Sequence, residues 1–389
     1  MQAGTHPWLA QQRVHYGQPA APLLRAEVGR AGARRVFVTT TRSLTGGAYV
    51  AGCVQALGEA FVGKFDAIAA HSPREAVIEG AARIRDAGAD LVVAIGGGSV
   101  IDATKVMLQC VWYGIDRVEG LDAIVGGRHA GGTDPSAWDA DPQALRMIAV
   151  PTTLSAAEFN HLAGVTDVAK KVKQGYPHPL AVPRVVILDP AATLDTPPDL
   201  LLSTGMRSMD HAVERWCATS ALPLSDALSL HAMGMLAKCL PRVRVAPDDM
   251  DARADCQVAM WLSLLPQSAG VPFGASHGIG YILGGAYGVP HGVTSCLMLP
   301  AVLEWNEPVN AERQKAVAQA LGVPGERAGP AMRAFVRALG VPWRLRDVGI
   351  ARDDLAGIAA RYDGTGPIST NPRPITRAAE IVEILELAY

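Results

Sequence analysis

Between residues 34 and 188 the chain keeps switching period, and this constrains its fold more than any other feature. Short β-branched runs, RRVFVTT (34–40), KFDAIA (64–69), DLVVAIG (90–96) and RMIAVP (146–151), alternate with segments of helical spacing, and a last run covers 184–188. PREAVIEGAARIRDAGA is one of the intervening segments, with Pro73 at its opening turn and Gly88 near its end. Strand, helix, strand in repetition is satisfied by a parallel sheet covered by helices on both faces. Beyond the proline-rich turn in VVILDPAATLDTPPD (185–199), helical segments alone follow, at 198–219, 222–240, 249–266, 308–321, 326–338 and 374–388. The pattern predicts an α/β domain over 1–193 and an all-α domain over 194–389, a division that suits a chain of 389 residues. A cleft between two such domains is where a small ligand is expected. The Gly, Asp and Pro-rich stretch 125–143 fits neither half and is read as a surface excursion, with a lid over the cleft as the alternative.

In VVAIGGGSVIDATK, Gly96, Gly97, Gly98 and Ser99 stand between a buried strand and a helix. Glycines there let backbone amides approach a pyrophosphate, and a helix start carries partial positive charge, so an anion can bind without a basic side chain. Thr152, Thr153 and Ser155 in a second post-strand loop, VPTTLSAAEFN (150–160), offer hydroxyls to the same nucleotide. In VFVTTTRSL, Thr40 sits where a dinucleotide site often places the carboxylate that grips the ribose diol. Without that carboxylate a 2′-phosphate is not repelled, and Arg42 would attract it, so use of NADPH alongside NADH is expected.

With 35 basic against 37 acidic side chains and no basic run, nucleic acid is not an expected partner. The first residues lack a charged start followed by an apolar stretch, and no run of eighteen apolar residues follows. A soluble cytoplasmic protein that leaves membranes alone is expected, and a homodimer is the commonest assembly for such an enzyme. The six cysteines show no CxxC spacing, which suggests neither disulfides nor a thiolate metal site.

STGMRSMDHAVERW (203–216) reads as the first turns of a helix capped by Ser203 or Thr204. It puts Arg207 and His211 on one helix face, a spacing that usually pairs a carboxylate with an imidazole at a metal site. His277 and His291, in GASHGIGYILGGAYGVPHG, are separated by a helix and a tight turn that return both rings to one point.

The order GGGS-x-x-D-x-x-K, P-T-T, G-M-x-x-x-x-H-A-x-E, H-G…G…PHG, with TNPRP (370–374) before the last helix, covers residues 13 to 389 and resembles the iron-type (group III) alcohol dehydrogenase superfamily. The resemblance implies a Rossmann-like dinucleotide-binding domain followed by a helical domain, the architecture shared with dehydroquinate synthases. It implies a divalent metal held by one aspartate and three histidines, which fall on His211, His277 and His291 here, while the aspartate falls on Arg207 and a further family histidine on Tyr281. A guanidinium within about 4 Å of a dication is repelled by roughly 8 kcal/mol at an effective dielectric near 20. A site without metal is therefore expected; if a metal is present, the three histidines would hold it. Lack of the aspartate, together with VKQGYPHPLAVPRVVILDP (172–190), resembles the maleylacetate reductase-like branch. That implies NAD(P)H-dependent reduction of maleylacetate to 3-oxoadipate in aromatic compound breakdown, with a metal-dependent iron-type alcohol dehydrogenase or aldehyde reductase acting on small alcohols as the alternative. Arg207, His211, His277, His291 and Tyr281 are the expected catalytic groups. Thr40, Gly96, Gly97, Gly98, Ser99, Asp102, Thr152, Thr153, Ser155 and Lys173 are the expected cofactor contacts, with Lys170 and Lys171 as neighbours of Lys173.

Overall fold

The computed structural model describes residues 8–69, 72–130, 144–170 and 172–389. Most of the 125–143 stretch and Lys171 lie outside them. The described residues form two compact units, Pro7–Thr196 and Pro197–Tyr389.

The first unit is built on a six-stranded, all-parallel sheet. Its strands are β1 (Arg13–Tyr16), β2 (Val36–Thr39), β3 (Phe61–Phe65), β4 (Leu91–Gly96), β5 (Met147–Pro151) and, after a separate antiparallel hairpin of β6 (Gly164–Asp167) and β7 (Val172–Gly175), β8 (Val185–Leu188). The order across the sheet is β1-β8-β5-β4-β2-β3. Successive side chains of a strand point to opposite faces, and here they enter two different cores. Phe37, Val92 and Ala94 join one with Val77, Ala81, Val106 and Met107. Val36, Val38, Val93 and Ile95 join the other with Leu24, Val28, Val50 and Leu57. Helices α1 (Ala20–Ala31) and α3 (Ala48–Leu57) cover the second face, and α4 (Arg74–Asp86) and α5 (Gly98–Tyr113) the first; α2 (Arg42–Thr45) is one turn. The apolar run of β4 follows from this, since a central strand with both faces covered has no wet side.

The second unit is helical: α6 (Pro198–Cys217), α7 (Pro223–Val245), α8 (Met250–Leu264), α9 (Ala275–Tyr287), α10 (His291–Ala320), α11 (Ala328–Ala338), α12 (Leu355–Ala359) and α13 (Ala378–Leu387). Ile279, Leu283, Leu297, Met298, Val302, Ile358 and Ile381 share one core. Two local expectations are corrected. Ser203 and Thr204 do not cap α6, because Pro198 starts the helix one turn and more upstream; their hydroxyls instead bond back to the carbonyls of Leu200 and Leu201. The segment 308–321 is the end of α10, which begins at His291 and is kinked at Asn310, two residues after Pro308.

Candidate active site

Helix α5 starts directly after β4, and Gly97 occupies its N-cap position with no side-chain cap. The glycines are required by close packing. A Cβ on Gly97 would lie 2.9 Å from Thr153 Cγ2, and one on Gly98 would lie 2.8 Å from Ser155 Oγ. The backbone N–H of Thr152 donates to the carbonyl of Gly96 at 3.1 Å. The glycine turn and the 152–155 loop, read as separate candidates in the sequence, are thus one surface. Thr40 is buried on the strand side of the turn, its hydroxyl without a hydrogen-bond partner among the described residues. The Asp102 carboxylate accepts the N–H of Gly164 at 3.1 Å, which ties α5 to the start of β6. Lys173 lies across Gly164 in the β6–β7 hairpin, where a Cβ would meet its Cε at 2.1 Å.

In the helical unit, α6 supplies a ladder of buried charge. Arg207 is 3% exposed, Asp210 0%, His211 4%, Glu214 6% and Arg215 1%. Arg207 does not point to solvent. Its Nη1 donates to Ser295 Oγ at 3.1 Å and its Nη2 lies 2.8 Å from His291 Nε2, while the guanidinium sits 5.7 Å from the centroid of the Tyr281 ring. Tyr281 stacks on His291 and keeps 39% exposure. Ser295 passes its own proton to Asp210 Oδ2 at 2.7 Å, and Ser276 donates to the same oxygen at 2.8 Å. Asp210 is therefore the counter-charge of Arg207, with Oδ2 3.9 Å from Nη1.

Glu214 pins the start of α9. It accepts the N–H groups of Gly274 at 2.9 Å and Ser276 at 2.8 Å, and its Oε2 lies 2.7 Å from Nδ1 of His277. This fixes the His277 ring, which stacks on Phe273 at 3.7 Å. Its Nε2 and the Nδ1 of His211, whose ring centroid is 5.1 Å away, are buried without a hydrogen-bond partner among the described residues. Burial, reinforced by Arg207, holds both imidazoles well below the ordinary range, so both rings are neutral near pH 7. Burial pushes Asp210 and Glu214 above the ordinary carboxylate range. Orphan ring nitrogens in a dry site are rare in folded proteins and mark where ligand atoms are expected. The structure thus gathers Arg207, His211, His277, His291 and Tyr281. It adds Asp210, Glu214, Ser276 and Ser295 to the cluster. Glu214 was visible as the last letter of the H-A-x-E motif; the two serines carry no sequence signal.

Two family models match the chain, the iron-containing alcohol dehydrogenase model over residues 11–190 and that of the C-terminal part of the Fe-containing alcohol dehydrogenase family over 201–389. Maleylacetate reductase 2 of Cupriavidus pinatubonensis is 31% identical over 84% of this chain and 80% of its own length. Lactaldehyde reductase of Escherichia coli is 29% identical over 98% of this chain and 99% of its own length. The crystal structure of maleylacetate reductase from Agrobacterium tumefaciens superposes with a TM-score of 0.81 at 26% identity, covering 100% of this chain and 99% of that one.

The family's name implies iron, and the residues present do not fit it. Among the described residues the only converging set of metal-type ligand atoms is Asp210, Glu214 and His277, within 4.8 Å of one another. The atoms concerned already accept from two serine hydroxyls and two backbone N–H groups, or pair with each other. The position that resembles the family's aspartate ligand presents a guanidinium 2.8 Å from His291 Nε2, the ring nitrogen an ion would need.

Proposed function

The chain belongs to the iron-containing alcohol dehydrogenase family of oxidoreductases, and from that premise we propose that it is an NAD(P)H-dependent maleylacetate reductase in which Arg207, not a metal, is the electrophile. Reduced nicotinamide, which the glycine turn and Thr152, Thr153 and Ser155 would hold, would supply the hydride that the alkene carbon β to the ketone accepts. The C=C π electrons move toward the ketone, its oxygen takes the negative charge as an enolate, and a proton then adds to the α carbon to give 3-oxoadipate. One NAD(P)H and one proton are consumed.

The observation that carries this reading is a buried guanidinium whose hydrogen-bond partners are Ser295 Oγ and His291 Nε2, with the carboxylate of Asp210 3.9 Å away. A carboxylate or an enolate oxygen is a better acceptor for Nη2 than a neutral imidazole, and charge-assisted, forked pairing is what guanidinium geometry favours. Developing charge in a water-poor site is stabilised by donors already in place. His211 and His277, each with an orphan ring nitrogen, are the proton-donating candidates, and Tyr281 is the exposed alternative. The likeness to lactaldehyde reductase sets the competing outcome of the test, a reductase of small aldehydes. Maleylacetate and a panel of small aldehydes are assayed with NADH and NADPH, before and after EDTA, for the wild type and Arg207→Ala. Chelator-resistant turnover of maleylacetate that collapses in the variant supports the proposal. Chelator-sensitive reduction of aldehydes, with bound transition metal in the purified protein, overturns it.

A further inference from the structure

Lys105, the last residue of the GGGS-x-x-D-x-x-K motif, is fully buried, and the proposed chemistry gives it no task. Its ammonium donates to three main-chain carbonyls, Ala157 O at 2.6 Å, Asn160 O at 2.8 Å and Leu162 O at 2.9 Å, with Asn160 Oδ1 at 3.4 Å. An ammonium has three protons, and three carbonyls from six consecutive residues account for them. Carbonyls that turn toward one interior point are lost to helix and sheet, and without a cation they would face each other in a dry space. Glu158, in the same segment, is fully buried with neither side-chain oxygen hydrogen-bonded among the described residues; burial raises it to about 8, and Lys105 is the cation that holds it down. Burial pulls Lys105 down to about 8, with Asp102 and Glu158 holding it up, so the charge survives near pH 7.

The carbonyl cage is one of several attachments between α5 and residues 153–164. Gly97 packs under Thr153 and Gly98 under Ser155 at the start of the helix. One turn on, Asp102 takes the N–H of Gly164, and three residues later Lys105 takes the cage. Where the chain leaves the glycine turn for the cage, Ala156 adopts a left-handed backbone, φ 63° and ψ 14°, which an alanine enters only when its surroundings impose it.

We infer that Lys105 is a positioning residue for the dinucleotide: an internal ammonium ion that folds residues 157–162 around itself and thereby holds Thr152, Thr153 and Ser155 against the glycine turn. The inference rests on the reading that this turn and loop bind the cofactor. It assigns Lys105 to affinity for the dinucleotide and not to the chemical step.

The test is Lys105→Met, which keeps the bulk and removes charge and donors, followed by fluorescence titration with NADH and NADPH and by steady-state kinetics. Dissociation constants and the KM for dinucleotide are expected to rise at least tenfold, with kcat at saturating dinucleotide within about threefold of wild type. Lys105→Ala is expected to regain affinity in added methylammonium or ethylammonium and not in sodium chloride of equal ionic strength, a rescue that a general packing defect would not show. Should Lys105→Met fail to accumulate in soluble form, Asn160→Ala, which removes one cage oxygen, is expected to weaken dinucleotide binding several-fold. Wild-type affinity in the soluble variants overturns the proposal and leaves the cofactor reading standing. Wild-type protein that binds neither dinucleotide overturns both.

Discussion

Replacing Arg207 by methionine separates its electrostatic role from its packing, because the bulk stays while the guanidinium goes. With Nη1 3.9 Å from Asp210 Oδ2, the pair is worth about 4 kcal/mol at an effective dielectric near 20. Removing one partner of a buried pair commonly costs ~3–5 kcal/mol, so a thermal midpoint clearly below wild type is expected. The pH dependence identifies the cause. Burial has already raised Asp210 above the ordinary carboxylate range, so its ionised form is the one the fold disfavours, and stability falls as pH rises through that range. Arg207 offsets that fall, and without it Asp210 moves further up. The gap in thermal midpoint between wild type and variant should therefore be small at pH 5, where Asp210 is protonated in both, and should widen towards pH 8. In the same preparations kcat for the preferred substrate should drop by about 10²–10³, the usual effect of losing one oxyanion donor. Arg207→Lys should recover most of the stability and little of the rate, since an ammonium restores the charge without the fork. A methionine variant with wild-type kcat, or a stability gap that does not change with pH, would refute the reasoning.

Gly98→Ala should raise the KM for dinucleotide at least tenfold with little change in thermal midpoint, because its Cβ would stand 2.8 Å from Ser155 Oγ on the surface that the cofactor needs; steady-state kinetics decide. Arg42→Ala should weaken NADPH by about tenfold, the ~1.5 kcal/mol of one charged hydrogen bond, and leave NADH unchanged. Ala156→Gly should raise the unfolding free energy read from urea titration by up to about 1 kcal/mol, since glycine holds φ 63° without strain. His178 accepts the Leu180 N–H at Nδ1 and meets Tyr113 Oη at Nε2, so it is neutral in the fold, and burial lowers it to about 4 from 6.5. The unfolded chain then binds more protons between those values, and stability contributed by His178 is lost as pH falls from 6.5 towards 4, by up to ~3 kcal/mol. His178→Gln should flatten that part of the acid unfolding curve.

The parallel sheet was legible because its buried strands are continuous β-branched runs between glycines and prolines: 90–96 against the observed Leu91–Gly96, and 146–151 against Met147–Pro151. What the pattern hides is short and wet. β1 is four residues, RVHY, none of them buried, and it pairs with β8 only after 168 intervening residues. β7, VKQG, likewise has no buried residue, although its partner β6 does. The candidate catalytic cluster was legible in its histidines and Arg207, because their spacing sets a helix face. Its serines were not, because a hydroxyl that donates a hydrogen bond to Asp210 looks, in sequence, like any serine inside a helix. Asp102 and Lys105 share the signature of the glycine turn, yet both are spent on main-chain atoms of residues 157–164. A motif names the residues that a site requires and does not separate those that touch the ligand from those that hold the loop.

Charge explains how an arginine can stand at the position that resembles the family's aspartate ligand. An aspartate together with a dication carries a net charge of +1, and so does a guanidinium. Around it, Asp210 carries the negative charge nearest the guanidinium, Glu214 is held above the ordinary carboxylate range by burial, and Arg215 is a second cation, all on α6 and all buried. A substitution that changed this sum would strand a charge in a low-dielectric interior, where neutralisation usually follows. Keeping the sum lets Ser276 and Ser295 continue to satisfy Asp210, and lets Glu214 continue to orient His277. On the function proposed above, what changes is the shape of the electrophile: a planar fork that pairs with two oxygens takes the place of a point charge. That geometry favours a carboxylate or an enolate over a simple alcohol.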